Sequence, residues 1–152
     1  MPTKTTCTDY ALYYIHRFPK TEKELILQLI KKGYATQDVD QTIAWLKFKH
    51  YIDDRNFAKL YIQSELIKKG KPLLVIKQKL HEKGIKKEIV SDLLQHYHQD
   101  IQEGMEHNLA KEIEQYKKKG LDGMQIVQKL MRKGYQYRDI SQYVRMRDRD
   151  DD

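Results

Sequence analysis

Three times along the chain a run of helix-forming residues closes with basic residues, a glycine and an apolar residue: Gln28-Leu-Ile-Lys-Lys-Gly-Tyr34, Lys79-Leu-His-Glu-Lys-Gly-Ile85 and Lys129-Leu-Met-Arg-Lys-Gly-Tyr135. The glycines, Gly33, Gly84 and Gly134, stand 51 and 50 residues apart. A period of that length marks one supersecondary unit used repeatedly and stacked on its neighbours. The whole chain has 152 residues, and a unit of roughly fifty buries too little surface to stand alone. The units must therefore lean on one another.

In the first unit Ala11, Tyr14, Ile15 and Phe18 fall at helical spacing, and Pro19 stops that helix. Thr21-Glu-Lys-Glu24 is a capping-box sequence, with Leu25, Leu29 and Ile30 as the buried stripe that follows. Gly33 can end the helix in a left-handed conformation, while Lys31 and Lys32 suit the negative end of the helix dipole. Thr36 or Asp38 can cap a third helix with Val39, Ile43, Trp45 and Leu46 inward.

The second unit repeats the plan. Asp53 or Asp54 caps a helix carrying Phe57, Ala58, Tyr61, Ile62 and Leu66. Pro72 opens the next helix, with Ile76 and Leu80 placed as Leu25 and Leu29 are; Ile89, Val90, Leu93 and Leu94 face inward from the last. In the third unit the equivalents are Leu109, Ala110 and Ile113, then Ile126 and Leu130, then Ile140 and Val144. No alternation is long enough to argue for a strand. The expected architecture is all-α, nine helices in three tandem three-helix repeats at 8–50, 51–99 and 100–146, with residues 147–152 a disordered, solvated tail.

The apolar runs fall far short of the roughly 20 residues of a membrane span, and no apolar signal core precedes Cys7, so a cytoplasmic protein is expected. A lone cysteine makes no internal disulfide, and Cys7, near a chain end expected to be mobile, is incidental. His96 and His98 lie two apart, on different helix faces, with no third ligand beside them. Asp53 and Asp54 are explained by capping, and Gly70-Lys71-Pro72 lacks the glycine spacing of a phosphate loop. Neither a catalytic constellation nor a cofactor or metal site is expected. Most of the eleven tyrosines are read as core, with Tyr116 and Tyr137 the better candidates for exposed contact.

Basic residues carry the functional signal. From Lys68 to Lys87 eight lysines oppose the single acid Glu82, a local charge of +7 that equals that of the whole chain. The candidate binding surface comprises Lys68, Lys69, Lys71, Lys77, Lys79 and Lys83 from the second unit and Lys117, Lys118, Lys129, Arg132 and Lys133 from the third. Any one cluster could be a solvated face, but recurrence at corresponding ends of successive units suits a polyanionic partner. Reversing Lys68, Lys69 and Lys71 to glutamate is expected to weaken binding with helical content intact. A helix-turn-helix reader spanning Glu24 to Lys49 is disfavoured, because Asp38 and Asp40 would face phosphates.

The order Tyr51-Ile-Asp-Asp54, Phe57-Ala58, Tyr61, Lys69-Gly70, Ile76, Leu80, Lys83-Gly84-Ile85, with Thr21, Glu24-Leu25, Leu29 and Lys32-Gly33-Tyr34 before it, resembles the RecX family over about Tyr10 to Val144. The resemblance implies an elongated, curved monomer. Such a protein lies in the groove of a RecA recombinase filament on single- or double-stranded DNA, and usually inhibits its ATPase, strand-exchange and coprotease activities without being an enzyme. Pro72-Leu73, Val75 and Glu65 depart from the family pattern, which has a glycine and a proline at the first pair and basic residues at the other two. The alternatives are a general nucleic-acid-binding module without a recombinase partner, or an inert helical scaffold.

Overall fold

The computed structural model describes residues 5–150, with side chains through Tyr143. Its helices are α1 (Cys7–Arg17), α2 (Glu22–Lys31), α3 (Thr36–Phe48), α4 (Asp54–Ile62), α5 (Leu73–Glu82), α6 (Lys87–His96), α7 (His98–Lys118), α8 (Gly123–Lys133) and α9 (Tyr137–Asp150). A π-helical stretch, Gln63–Lys68, continues α4. The described residues contain no strand, and no described helix is long and apolar enough to cross a membrane.

The middle helix of each unit ends the same way. Gly33, Gly84 and Gly134 take left-handed φ values of 98°, 83° and 109°, and the next amide donates to the carbonyl five residues earlier. Tyr34 reaches Leu29 at 3.2 Å, Ile85 reaches Leu80 at 3.1 Å and Tyr135 reaches Leu130 at 3.2 Å. These bonds satisfy carbonyls that a helix end would leave orphaned. The N-caps also match, since Thr21, Pro72 and Asp122 each stand twelve positions before their glycine. Thr21 and Asp122 make full capping boxes. Pro72 has no side-chain oxygen to cap with.

Each unit has its own apolar cluster. Cys7, Ala11, Leu25, Leu29, Val39, Ile43 and Leu46 form the first, Ala58, Ile62, Leu66, Ile76, Leu80 and Leu93 centre the second, and Leu109, Ile113, Ile126, Leu130 and Ile140 centre the third. Boundary residues cross over: Ile52 packs into the first cluster and Ile101 into the second.

Several expectations are corrected. Helix α1 starts at Cys7, whose side chain is buried in the first core cluster, so this residue is part of the packed core. The N-cap of α3 is Ala35, without a side-chain bond. Trp45, Phe18 and Ile30 are exposed; on α3 the buried Thr42 takes an inward place and pairs with Thr8 at 3.1 Å. Helix α9 continues through residues 147–150, assigned above to a tail. Its arginines are strong helix formers and no breaker intervenes. The side chain of Val144 lies outside the described set.

The junctions between units reuse the glycine turns. A Cβ on Gly84 would lie 2.6 Å from Lys23 Cβ, at the first turn of α2; one on Gly134 would lie 2.6 Å from Val75 Cγ2, at the first turn of α5. At the first junction the buried Thr21 hydroxyl donates to the Lys83 carbonyl at 2.6 Å, and Asp54 accepts from the Glu22 amide at 2.9 Å. Burial pushes the Asp54 carboxyl above its usual range, partly offset by that amide. Asp53 caps α4 through the Asn56 amide at 3.0 Å. Both acids are thereby used in structure.

At the second junction backbone meets backbone. A Cβ on Gly104 would lie 2.3 Å from the Ile67 carbonyl oxygen, and one on Gly70 would lie 2.3 Å from the Gly104 oxygen. The Tyr135 hydroxyl, buried, donates to the Gly70 carbonyl at 2.6 Å, and the Asn108 amide reaches the same carbonyl at 3.3 Å. Burial raises the Tyr135 hydroxyl pKa, so it stays a donor at neutral pH.

Candidate nucleic-acid interface

The candidate lysines separate into those held by carboxylates and those left to solvent. Lys69 and Lys71 both clamp Glu65, at 3.0 and 2.5 Å. Lys83 bonds Glu24 at 3.1 Å while lying over the Phe57 and Tyr61 rings. Lys133 pairs with Glu112 and lies over Tyr116. These four lysines share three carboxylates, which offset part of their charge. Lys68, Lys77, Lys79, Lys117, Lys118, Lys129 and Arg132 are exposed and form no ion pair with a described residue. Lys129 sits 5.5 Å from the Tyr116 ring centroid.

Titration directions follow this division. Lys71 holds the Glu65 carboxyl below the usual carboxylate range by a direct hydrogen bond; burial opposes this and Lys69 adds to it. For Glu24 burial opposes ionisation, but the Thr21 amide and Lys83 outweigh it and lower its pKa. Glu112 raises the pKa of Lys133. A carboxylate with a depressed folded-state pKa contributes stability that is complete above its unfolded value and disappears as pH falls through the folded one. Glu65→Gln is therefore expected to be less stable than the parent at pH 7, by about 1 kcal/mol since the lysines are solvated. The gap should narrow as pH falls below the unfolded glutamate value and through the depressed folded one, where Glu65 becomes protonated in both states. Thermal melts of both proteins across that range check it; a gap constant with pH would refute the pairing.

What the fold gathers into a concavity is a different set. Between α5 and α6 lies a cavity of about 520 Å³, walled by Lys77, Gln78, His81, Lys87 and Ser91 over Leu74, Ile85 and Val90. No acid lines it. Lys77 and His81 are one helical turn apart on α5, so they share a face. Lys87 opens α6, preceded by Lys86 at the cap, with no side chain closing that end. Two lysines at the positive end of a helix dipole repel it, and Glu88 is the one acid in that turn. An anion seated in this groove would relieve the repulsion and meet two ammonium groups and, when protonated, an imidazolium. The groove thus presents two lysines and a histidine over an apolar floor.

Of the expected site residues only Lys77 lines this groove; Lys87 and His81, which line it too, were not among them. Their signal was present in the sequence as the lysine run and as the spacing of Lys77 and His81. Which lysines are neutralised depends on Glu65, Glu24 and Glu112 arriving from other turns and helices. The aromatic expectation is also revised. Tyr137 is exposed, but Tyr116 is half-buried beneath Lys129 and Lys133, and Tyr13 and Tyr51 are the other exposed tyrosines. His96 packs edge-on against Tyr97, and no group of three potential metal ligands occurs among the described residues.

Family models for the first and second three-helix domains of RecX match residues 7–46 and 53–94. Neither covers α7–α9. A regulatory protein RecX of Streptococcus agalactiae is 35% identical over 132 residues, spanning 85% of this chain and 50% of its own length. One from Clostridium perfringens is 32% identical over 144 residues, spanning 91% and 67%. The chain thus spans about half to two thirds of the length of these relatives. The crystal structure of RecX from Lactobacillus salivarius superposes with a TM-score of 0.76 at 25% identity, covering 93% of this chain and 94% of that one. With the matched three-helix domains and the shared fold together, the chain belongs to the RecX family of regulatory proteins.

Proposed function

We propose that this protein regulates the RecA recombinase by binding the RecA–DNA filament, without chemistry of its own, and that its anchor on the filament's phosphates is the groove between α5 and α6. The observation that carries this reading is the acid-free cavity bearing Lys77 and Lys87, neither of them in an ion pair with a described residue. Lys68, Lys79, Lys117, Lys118, Lys129 and Arg132 extend the positive field and draw the protein toward a polyanion. Lys69, Lys71, Lys83 and Lys133 serve mainly to hold Glu65, Glu24 and Glu112. Membership of the regulatory family supports the recombinase as partner, and a monomer acting in the cytoplasm is part of the same reading.

A second reading follows from the same groove: a general nucleic-acid-binding module would use it equally well. ATP hydrolysis by RecA on single-stranded DNA separates the two. Inhibition with the protein far below the concentration that coats free DNA supports the filament reading. Inhibition only when the DNA is saturated supports the general binder, and no effect on either DNA or hydrolysis would eliminate both.

A further inference from the structure

The first unit carries an aromatic surface that neither its core nor the basic groove uses. Tyr13 is 58% exposed, Phe48 76%, Tyr51 56% and Trp45 39%. The aromatics that pack against this unit's core are others, Tyr10, Tyr14 and Tyr34. Trp45 and Phe48 are three apart on α3 and share a face. Trp45 lies against Tyr51, with ring centroids 5.7 Å apart and planes inclined by 28°. Tyr51 in turn faces Tyr13 across a cavity of about 580 Å³ that Leu12, Ile15 and His16 complete. No acid lines that cavity.

Cations sit directly on these rings. The Arg17 guanidinium is 5.4 Å from the Tyr13 centroid and donates to its hydroxyl at 2.6 Å. The Lys49 ammonium is 5.9 Å from the Phe48 centroid. Exposed rings of this number call for a ligand, since an apolar patch left in water is unfavourable. A purely apolar partner would have to strip water from Arg17 and Lys49 without replacing it. A ligand with flat π faces and an anionic backbone satisfies both demands, and bases within a duplex are already stacked on one another and unavailable.

We propose that Tyr13, Trp45, Phe48 and Tyr51 form a stacking site for unpaired nucleobases, with Arg17 and Lys49 meeting the adjoining phosphates. This deepens the filament reading and rests on it in one respect, that the natural ligand is the single strand within a nucleoprotein. The site selects single-stranded over duplex DNA, whereas the α5–α6 groove, reading charge alone, serves both.

Trp45 is the only tryptophan, so its fluorescence reports on the site directly. Titration with a short oligothymidylate should quench it, and a hairpin duplex of equal charge should not. Tyr51→Ala and Tyr13→Ala alter exposed rings and should keep the parent's circular dichroism. Each should weaken oligothymidylate binding by on the order of tenfold and leave duplex binding unchanged. Unaltered oligothymidylate affinity in both variants would overturn the stacking site, and if Lys77→Glu/Lys87→Glu still weakened binding, the groove assignment would survive that failure. Loss of RecA inhibition in Tyr51→Ala with single-strand affinity intact would make the patch a protein-docking surface, which also overturns the proposal. Should the parent protein affect neither DNA nor the filament, the functional reading itself would fail instead.

Discussion

Gly104→Ala is expected to lower the stability of the protein by about 2 kcal/mol, and the melting temperature by roughly 4–8 °C. The added Cβ would stand 2.3 Å from the Ile67 carbonyl oxygen and 2.9 Å from that of Leu66. These are backbone atoms and cannot swing aside as a flexible side chain would. Overpacking of this kind costs about 3 kcal/mol, while alanine returns about 1 kcal/mol of helix propensity over glycine. Gly123→Ala is the matched control. That glycine lies in the first turn of α8 with nothing within 4 Å of its would-be Cβ, so alanine there should stabilise by about 0.5–1 kcal/mol. Thermal and urea unfolding of the two variants decide the matter. Equal behaviour would mean that α7 does not approach the π-helical stretch as closely as described.

The second large effect concerns charge. Lys77→Glu/Lys87→Glu should weaken binding to DNA and to the RecA filament by on the order of tenfold per site, since each loses a charge-assisted phosphate contact. The slope of log affinity against log salt should fall in magnitude by about 2. Melting should change little, because neither lysine holds an ion pair. Lys69→Glu/Lys71→Glu should do the reverse. Glu65, its side chain only 14% exposed, would lose both partners and gain two like charges, at a cost of about 2 kcal/mol. Reversal of the Lys68, Lys69 and Lys71 cluster is thus expected to lower stability as well as change charge. Affinity measured at several salt concentrations, beside a melt for each variant, separates the two pairs. If the Lys69/Lys71 variant lost more affinity at unchanged stability, the anchor would have to move to that cluster.

Local chemistry was legible and tertiary chemistry was not. The left-handed glycines, the Thr21–Glu24 capping box and the buried pairs Leu25/Leu29, Ile76/Leu80 and Ile126/Leu130 follow from spacing within a few residues. Trp45 and Ile30 are exposed: a helical stripe predicts a face but not its width, and on α3 Thr42 is buried where Trp45 is not. The π-helical widening at Gln63–Lys68 has no signature in side-chain periodicity. Two departures from the family pattern acquire a purpose once contacts are known: Glu65 gathers Lys69 and Lys71, and Val75 receives the Gly134 turn. Charge along the sequence marks a lysine-rich segment, but which of its lysines are paired depends on acids contributed from other turns and helices.

The two junctions are made of different materials. Between α7 and the π-helical stretch, Gly104 meets the Leu66 and Ile67 carbonyls directly, and the Asn108 and Tyr135 side chains bond the Gly70 carbonyl beside them. Between the first and second units the contact includes the long stem of Lys23, the Lys83–Glu24 bridge and single hydrogen bonds at Thr21 and Asp54. Mechanically the latter is the more compliant joint, so a bending load on the protein would be taken up there before the backbone contacts at Gly104 give way.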